Sequence, residues 1–402
     1  MRHPLREPVF RTLWLANLVS NLGTWMQTVG GAWLMTTLTS DALPVALMQT
    51  ATTLPAFLVG LPAGSLADRL DRRRLLLVTQ VWMLLCAAVL AGLTVVGVVS
   101  PWLLLGFTFA LGLGSAMSGP SWSAILPDVV SRAQVPNAII ANSAGYNVAR
   151  AGGPALGGIV VAIFGAAAAF GLNAASFGAT VWVVAWWRPA PVRAGRPSEP
   201  LWRTIVVGLE YAWHDRNQRI VLGRSMIWML CASALWGLLP LVARRELGLD
   251  APGYGLLVTC VGSGAVVGSL ALPSLRRRWP ANRLLIAAIV TFMLMLLVLG
   301  WVRSLPLVGL MLALGGAAWT SSNQNFQIAI QMGAPGWVRA RAIAAYLLTF
   351  QGGQAIGSAI WGGVADRAGD GVALGLAALG LAVGLIAAVR WPVEEPPLES
   401  RS

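Results

Sequence analysis

Charged side chains are scarce in this chain, and several reactive residue types are nearly missing from it. Of the 402 residues, 11% are charged and 57% are hydrophobic, which is more apolar surface than a soluble core buries. Lysine is absent, histidine occurs twice, and the three cysteines lie far apart in apolar segments without metal-ligand spacing. We therefore expect a protein of the lipid bilayer, with no metal or cofactor and with cysteines that pack as small apolar side chains.

Carboxylates are missing from the interior of every apolar run. All 15 acidic residues fall in a loop, a terminus or the end of a predicted span, and both histidines lie outside the spans. Proton relays in membrane proteins commonly use Asp, Glu or His inside the spans. The sequence therefore argues against proton coupling through a buried carboxylate and leaves aspartates at the rim, such as Asp41 or Asp366, as candidates.

A basic and aromatic patch on a polar domain is also missing. The net charge of +13 comes from arginines in short segments between apolar runs. A nucleic-acid-binding protein would instead cluster its positive charge on one folded surface. Nucleic acid is therefore not an expected partner.

What the chain has is a series of twelve apolar segments, each near the length of about 20 residues that a membrane span requires. With both termini in the cytoplasm, 22 of the 28 arginines lie on the cytoplasmic side and four on the other, as the positive-inside rule expects. We predict an all-α, multi-pass protein of a bacterial-type plasma membrane, in contact with lipid, with both termini cytoplasmic. The approximate spans are 13–35, 44–66, 75–97, 102–126, 138–163, 166–187, 220–243, 252–274, 284–302, 306–332, 341–364 and 371–390.

The chain is also duplicated. Gly64–Arg74 (GSLADRLDRRR), which we interpret as a tight charged hairpin between two spans, recurs 204 positions later as Gly268–Arg278 (GSLALPSLRRR). Gly152–Gly158 (GGPALGG) matches Gly352–Ser358 (GGQAIGS) at an offset of 200. Two six-helix halves with the same orientation follow, as in transporters built from parallel repeats around a central cavity.

Three regions result from this duplication: an N-terminal half at 1–187, a cytoplasmic linker at 188–219, and a C-terminal half with a short cytoplasmic tail at 220–402. Apolar residues recur at helical spacing inside the linker. They predict either an interfacial amphipathic helix or a solvated helix.

Two of the motifs resemble those of a known family. Gly64–Arg73 looks like the loop signature between spans two and three of the major facilitator superfamily. Asn147–Gly158 (NVARAGGPALGG) resembles the fifth span of its enterobactin-exporter and macrolide-efflux branch, and the likeness covers nearly the whole chain. The resemblance implies a twelve-helix major facilitator fold and alternating access, with transport that is usually outward and usually driven by proton exchange.

The resemblance also implies a conformational role for the loop motif, whose residues are Gly64, Asp68, Arg69, Arg72 and Arg73. Asp68 would cap a neighbouring helix start, and the arginines would pair with carboxylates to hold one access state. The alternative is that the arginines only set topology. The second copy lacks both aspartates of the first, so such a latch would be one-sided.

The glycines of the fifth span have a simple physical role. Gly153, Gly157 and Gly158 remove side chains at helical spacing and let helices approach closely, and Pro154 can kink the span. This stretch is similar to the antiporter motif of the family, which implies export. The match is to the core of the motif, because Ala149 stands where the family has a glycine.

Arg150 is the most unusual residue of the spans. It lies roughly 18 Å into the fifth span, where an isolated charge costs at least about 2.5 to 3.5 kcal/mol. No carboxylate of the spans can pair with it, so it requires a wet cavity, carbonyl and amide partners, or an anionic ligand. A structural arginine and a substrate-facing arginine both fit; the second predicts a substrate with negative or strong acceptor character.

Polar residues at four-residue spacing form stripes on three predicted spans. Such faces are costly against lipid, so they point inward, either to line a cavity or to join helix pairs. The candidate substrate-binding residues are Arg150, Tyr146 and Asn142 in the fifth span, Asn21 and Trp25 in the first, and Asn323 and Gln327 in the tenth.

These observations predict a secondary active transporter rather than an enzyme. It would export an organic small molecule, siderophore-like or antibiotic-like, by alternating access, with protons as the implied coupling ion. An importer of an anionic nutrient is the alternative. A non-transporting sensor or enzyme would require a nucleophile, a metal cluster or a soluble domain, and the sequence offers none of these.

Overall fold

The computed structural model describes residues 4–69, 71–187, 210–211 and 213–391, with the backbone alone at 61, 64–69 and 124. In this part of the chain, twelve helices of 21 to 31 residues follow one another. They are α1 Pro8–Leu38, α2 Ala42–Arg69, α3 Arg72–Val96, α4 Pro101–Val129, α5 Val135–Phe164, α6 Ala166–Trp186, α7 Arg216–Leu241, α8 Ala251–Arg278, α9 Ala281–Trp301, α10 Leu305–Gly333, α11 Arg339–Ala368 and α12 Asp370–Arg390. Most of the predicted linker lies outside the described residues.

Ten of these twelve helices are long and apolar enough to cross a membrane by length and composition alone, among the residues described. The other two are α1 and α11. Their polar residues lower the mean hydropathy, in α1 through the predicted stripe that includes Asn17 and Asn21. Polar stripes of this kind are tolerated in a span when they face other helices rather than lipid. The prediction of a twelve-helix membrane fold is therefore confirmed.

Helix ends follow the local sequence. Ser100 caps α4 by accepting a hydrogen bond from the Leu103 amide, and Pro101 opens the helix where its missing N–H costs nothing. Gly97 ends α3 and Gly165 separates α5 from α6, with φ angles of 76° and 81° that favour glycine. These short connections keep consecutive helices antiparallel.

The loop within the charged stretch Gly64–Arg74 is shorter than the sequence suggested. Helix α2 continues to Arg69 and α3 begins at Arg72, so only two residues separate the helices. The reason is that backbone groups near a polar membrane surface are satisfied best by prolonging the helix. The interpretation of the whole stretch as a hairpin loop was therefore wrong in extent.

The chain divides into two compact units. The first comprises Met1–Ser198 and Ala243–Thr259, and the second comprises Glu199–Val242 and Cys260–Ser402. Inside the first, α1 packs on α5 and α6, α3 on α4 and α6, and α2 on α4. The second repeats four of these pairs: α7 packs on α11 and α12, and α9 on α10 and α12. The packing within each unit thus follows the sequence duplication.

The segment Ala243–Thr259 is held in the first unit by polar and aromatic contacts to α1. Nη1 of Arg244 donates to Oγ1 of Thr36 at 3.1 Å, and the same guanidinium lies 5.7 Å from the ring centroid of Trp33. Trp33 stacks on Tyr254, with ring centroids 6.1 Å apart. A cation over an indole is favourable even near a surface, so this segment is anchored by more than chain connectivity.

Candidate substrate site and conformational motifs

Arg150 lies at the middle of α5 and is half-buried. It makes no hydrogen bond or ion pair among the residues that the structure describes. Tyr146, one turn earlier on the same face, is exposed. A guanidinium has five donors in a fixed fork that suits carboxylate and phosphate groups. The assignment of Arg150 as a substrate-binding residue stays a prediction, and the absence of a described partner is compatible with it.

Asn142, two turns before Arg150, connects α5 to α1. Its Oδ1 accepts a long hydrogen bond of 3.5 Å from Nδ2 of Asn17, and Nδ2 of Asn21 donates to the carbonyl of Asn17 at 2.8 Å. The polar stripes of α1 and α5 thus contact each other at Asn17 and Asn142, a pairing that the sequence did not predict. Asn142 also lines a mostly apolar cavity of about 20 Å³ with Trp122, which is room for one water molecule and not for an organic substrate.

Trp25 packs tightly on α5 rather than standing free. A Cβ placed on Gly153 would meet the Cβ of Trp25 at 2.6 Å, so the glycine is what admits this residue. Gly157 faces the backbone of Met26 in the same way, at 2.8 Å, and Gly158 faces the carbonyl of Ala251 at 2.6 Å. The glycines therefore allow α5 to approach both α1 and the first turn of α8.

In the second unit, the predicted stripe of α10 is partly unsatisfied. The Oδ1 atom of Asn323 is buried without a hydrogen-bond partner in the described part of the chain, and its backbone carbonyl accepts from the Tyr346 hydroxyl at 3.1 Å. Gln327 lies one turn further along and is half-buried. A buried amide oxygen without a partner is costly, and the role of Asn323 and Gln327 in binding substrate stays a prediction.

The arginines at the start of α3 have defined partners. Arg72 forms an ion pair with Asp128 near the end of α4, with Nη1 3.2 Å from Oδ2. Arg73 donates to the carbonyls of Val184 and Ala185 at the end of α6, at 3.1 and 2.6 Å. These arginines therefore connect α3 to α4 and α6.

We predict that Asp68 caps the start of a neighbouring helix, but at α3 a different aspartate is the N-cap. Asp71 is the N-cap of that helix and accepts a hydrogen bond from the Arg74 amide at 3.1 Å. Gly64, Asp68 and Arg69 lie in the last turns of α2, where the described structure covers the backbone alone. Their side-chain roles stay predictions.

Sequence reasoning left out Arg224 on α7, which is 5% exposed. Its Nη1 donates to Oδ1 of Asn282 at 2.9 Å and to the carbonyl of Trp391 at 3.3 Å, while Nε and Nη2 have no partner in the described residues. Its position within a predicted span was the available signal. Unlike Arg150, this arginine is enclosed by protein and holds two helix ends together.

The whole chain matches one known family. The family of transmembrane secretion effectors, part of the major facilitator superfamily, covers residues 2–401. The chain belongs to this family. It is a multi-pass membrane transporter of small molecules and not an enzyme.

Several relatives of this protein are transporters of the same superfamily. The multidrug efflux pump Tap of Mycobacterium tuberculosis is 26% identical over 408 residues, which covers 98% of this chain and 95% of the pump. The staphyloferrin A transporter of Staphylococcus aureus is 25% identical over 255 residues, 63% of this chain and 64% of that protein. The crystal structure of the nucleoside transporter NupG matches with a TM-score of 0.78 at 13% identity, over 95% of this chain and 98% of that one, which shows a shared fold.

In the described helices of this protein, every acidic residue lies in the first or last turns of its helix. Asp128 is the penultimate residue of α4, Asp366 lies two residues before the end of α11, and Asp370 is the first residue of α12. Asp370 is buried, at 5% exposure. The prediction that carboxylates lie at span ends thus holds where the structure describes them.

Proposed function

We propose that this transporter exports organic acids or comparably strong acceptor molecules, of the siderophore-like or antibiotic-like kind, by alternating access. One observation carries the proposal: the half-buried guanidinium of Arg150 at the middle of α5, without a protein partner in the described residues. A charge at that depth costs at least about 2.5 to 3.5 kcal/mol unless something compensates it. An anionic substrate supplies that compensation and gains affinity from it.

The outward direction is supported by the relatives rather than by geometry. One relative is named as a multidrug efflux pump and another as the staphyloferrin A transporter. The description of the family itself refers to secretion. An importer of an anionic nutrient would use the same arginine, so direction is an outcome that the experiment decides.

Orientation and coupling complete the proposal. Both termini are cytoplasmic, which is supported by the excess of arginines on that side. Protons are the coupling ion and act through carboxylates at the rim, because the described helices carry their acidic residues at the ends. The substrate is a small molecule, and nucleic acid has no part in transport.

In this proposal the polar residues bind substrate, whereas the loop arginines and the glycines of α5 affect the conformational change. Asn142, Tyr146 and Asn21 extend the site around Arg150 in the first unit. Asn323 and Gln327 are separate candidate substrate-binding residues of the second unit. The loop arginines and the glycines of α5 bias the equilibrium between access states, which an ion pair or a tight helix contact does when it forms in one state only.

Uptake into inverted membrane vesicles tests the site. The compounds are anionic, neutral and cationic members of one size class, with and without an imposed proton gradient. The variants are Arg150→Gln and Arg150→Lys, with Arg132→Gln as a matched control, because Arg132 is exposed in a short connection between α4 and α5.

We expect anions to accumulate in wild-type and Arg132→Gln vesicles, to be lost with Arg150→Gln, and to be partly retained with Arg150→Lys. Accumulation of anions only in right-side-out vesicles would mean that the protein imports its substrate rather than exporting it. Undiminished anion transport by correctly inserted Arg150→Gln, or transport of cations only, would overturn the assignment of Arg150.

A further inference from the structure

The start of α9 and the end of α12 meet at one end of the second unit. Nδ2 of Asn282, the second residue of α9, donates to the carbonyl of Ala388 in the last turn of α12 at 3.2 Å. Arg283 is the next residue of α9, and Arg390 is the last residue of α12. Both arginines therefore lie within about one turn of the contact between the two helices.

Both arginines are available to a ligand. Their side chains are exposed, and neither forms a hydrogen bond or an ion pair with another described residue. The guanidinium of Arg390 lies 6.0 Å from the ring centroid of Trp391, a contact that does not use its N–H donors. The acidic residue of these two helices is Asp370, at the opposite end of α12. Neither helix therefore balances the positive charge of this surface.

The first unit uses its arginines differently at the matching place. There Arg73 of α3 donates to two carbonyls at the end of α6, which closes with Trp186 where α12 closes with Arg390. In the second unit the buried Arg224 donates to the carbonyl of Trp391 just beyond α12. Because this charge is supplied from inside the protein, the surface arginines of α9 and α12 are not needed to join the helix ends.

An apolar stripe on α12 leads to Arg390. Leu379, Val383 and Ile386 are 59 to 65% exposed and follow one another at a spacing of three or four residues, and Arg390 occupies the next such position. Residues at this spacing lie on one face of a helix. The neighbouring Trp391 is exposed, and tryptophan is typical of the boundary between hydrocarbon and headgroups. The stripe therefore suits an acyl chain, and its charged end suits a headgroup.

We propose that this surface binds one anionic phospholipid of the bilayer, with Arg283 and Arg390 on its phosphate and the α12 stripe against an acyl chain. The phosphodiester carries a negative charge and presents two oxygens to the planar fork of a guanidinium. Basic surfaces at helix ends attract anionic headgroups in this way. The stripe favours a lipid over a soluble phosphate, which would use the arginines alone. The site goes beyond the proposed function, because it concerns the membrane and not the transported molecule.

Native mass spectrometry of the purified full-length protein in detergent tests the site by measuring the binding of single lipid molecules. The probes are dioleoylphosphatidylglycerol and dioleoylphosphatidylcholine, which share acyl chains and phosphate and differ in net charge, with inorganic phosphate as a soluble competitor. The variants are Arg283→Gln, Arg390→Gln, the two combined, and Ile386→Ser in the stripe. Arg74→Gln is the matched control, because Arg74 is an exposed arginine at the third position of α3, as Arg283 is of α9.

We expect the wild type and Arg74→Gln to prefer phosphatidylglycerol over phosphatidylcholine by about 25-fold, which is about fivefold for each arginine beside an anionic headgroup. Arg283→Gln and Arg390→Gln should each reduce this preference about fivefold, and the double variant should abolish it. Ile386→Ser should weaken the binding of both lipids equally. Inorganic phosphate at the same concentration as the lipid should not compete. Because the arginines are exposed, melting temperatures without lipid should stay unchanged.

Three results would overturn the inference and leave the proposed export through Arg150 untouched. A preference that survives in the folded double variant would place the lipid elsewhere. An equal loss with Arg74→Gln would reduce the effect to general surface charge. Displacement of the lipid by an equal concentration of inorganic phosphate would mean that the arginines bind soluble phosphate.

The chain itself supplies one competitor for these arginines. Glu394 and Glu395 follow α12 in the sequence and lie outside the described residues. We expect the double variant Glu394→Gln with Glu395→Gln to keep the preference of the wild type for phosphatidylglycerol. A preference that emerges only in this double variant would assign the arginines to the tail rather than to a lipid, and would also overturn the inference.

Discussion

Nη1 of Arg224 lies 2.9 Å from Oδ1 of Asn282, between the start of α9 and the end of α12. Asn282 donates in turn to the carbonyl of Ala388 at 3.2 Å. In the first unit, Arg73 binds the end of α6 by itself, from the second position of α3, as Asn282 does from the second position of α9. Duplication thus kept the place of the contact, and in the second unit an arginine on α7 supplies the charge that favours a helix C-terminus.

This arrangement predicts opposite effects for its two members. Asn282→Ala should lower the free energy of unfolding by about 1.5 to 3 kcal/mol, because it removes a hydrogen bond to a buried charge. Arg224→Met should be neutral or stabilising, since it removes a buried cation of which Nε and Nη2 are unpaired within the described residues. Thermal denaturation in detergent measures both. An equal loss with Arg224→Met would mean that the arginine is needed for the fold.

Arg150 should behave as a binding residue in stability measurements. Arg150→Gln is expected to leave the melting temperature of the empty protein unchanged or slightly raised, because no described residue forms an ion pair or hydrogen bond with it. Stabilisation by an added anion should be lost at the same time. Melting curves with and without salicylate provide the measurement. A fall of several degrees in the empty protein would support a structural role instead.

Two glycines of α5, one in close contact with α1 and one facing open space, can be compared as test and control. A Cβ on Gly157 would lie 2.8 Å from the Cα of Met26, whereas a Cβ on the nearby Gly152 meets nothing within 4 Å. Gly157→Ala should therefore cost about 1 to 3 kcal/mol through displaced backbone and reduce transport. Gly152→Ala should be harmless or slightly stabilising. Equal transport by the two variants in vesicles would show that the close approach of α5 and α1 is dispensable.

The ion pair of Arg72 and Asp128 should matter more for transport than for stability. The two side chains are 32% and 22% exposed, and partly exposed pairs contribute at most about 1 kcal/mol. Asp128→Arg should slow transport if the pair biases one access state, and the reversed pair Arg72→Asp with Asp128→Arg should restore much of the rate. Vesicle uptake compared at equal protein content decides this. A reversed pair that is no better than the single variant would assign the arginine to topology alone.

Asn17 and Asn142 illustrate how far a pattern in the sequence reaches. Residue spacing predicted that each lies on the polar face of its helix. The structure shows in addition that a long hydrogen bond joins the two side chains. Trp25 shows the limit of such reasoning, since its contact with Gly153 depends on how closely α1 and α5 approach. The extent of α2 was misjudged for a related reason: charge marks the membrane surface but does not end a helix.

The sequence by itself determined the number of spans, the duplication and the unpaired charge of Arg150, because hydropathy and repetition are properties of the chain taken locally. Only the tertiary structure decided that Ala243–Thr259 packs in the first unit, that Arg224 reaches Asn282, and that four aromatic rings contact Trp319. These contacts join residues far apart in the chain. Which faces meet is set by the packing of whole helices against each other, and no local pattern records it.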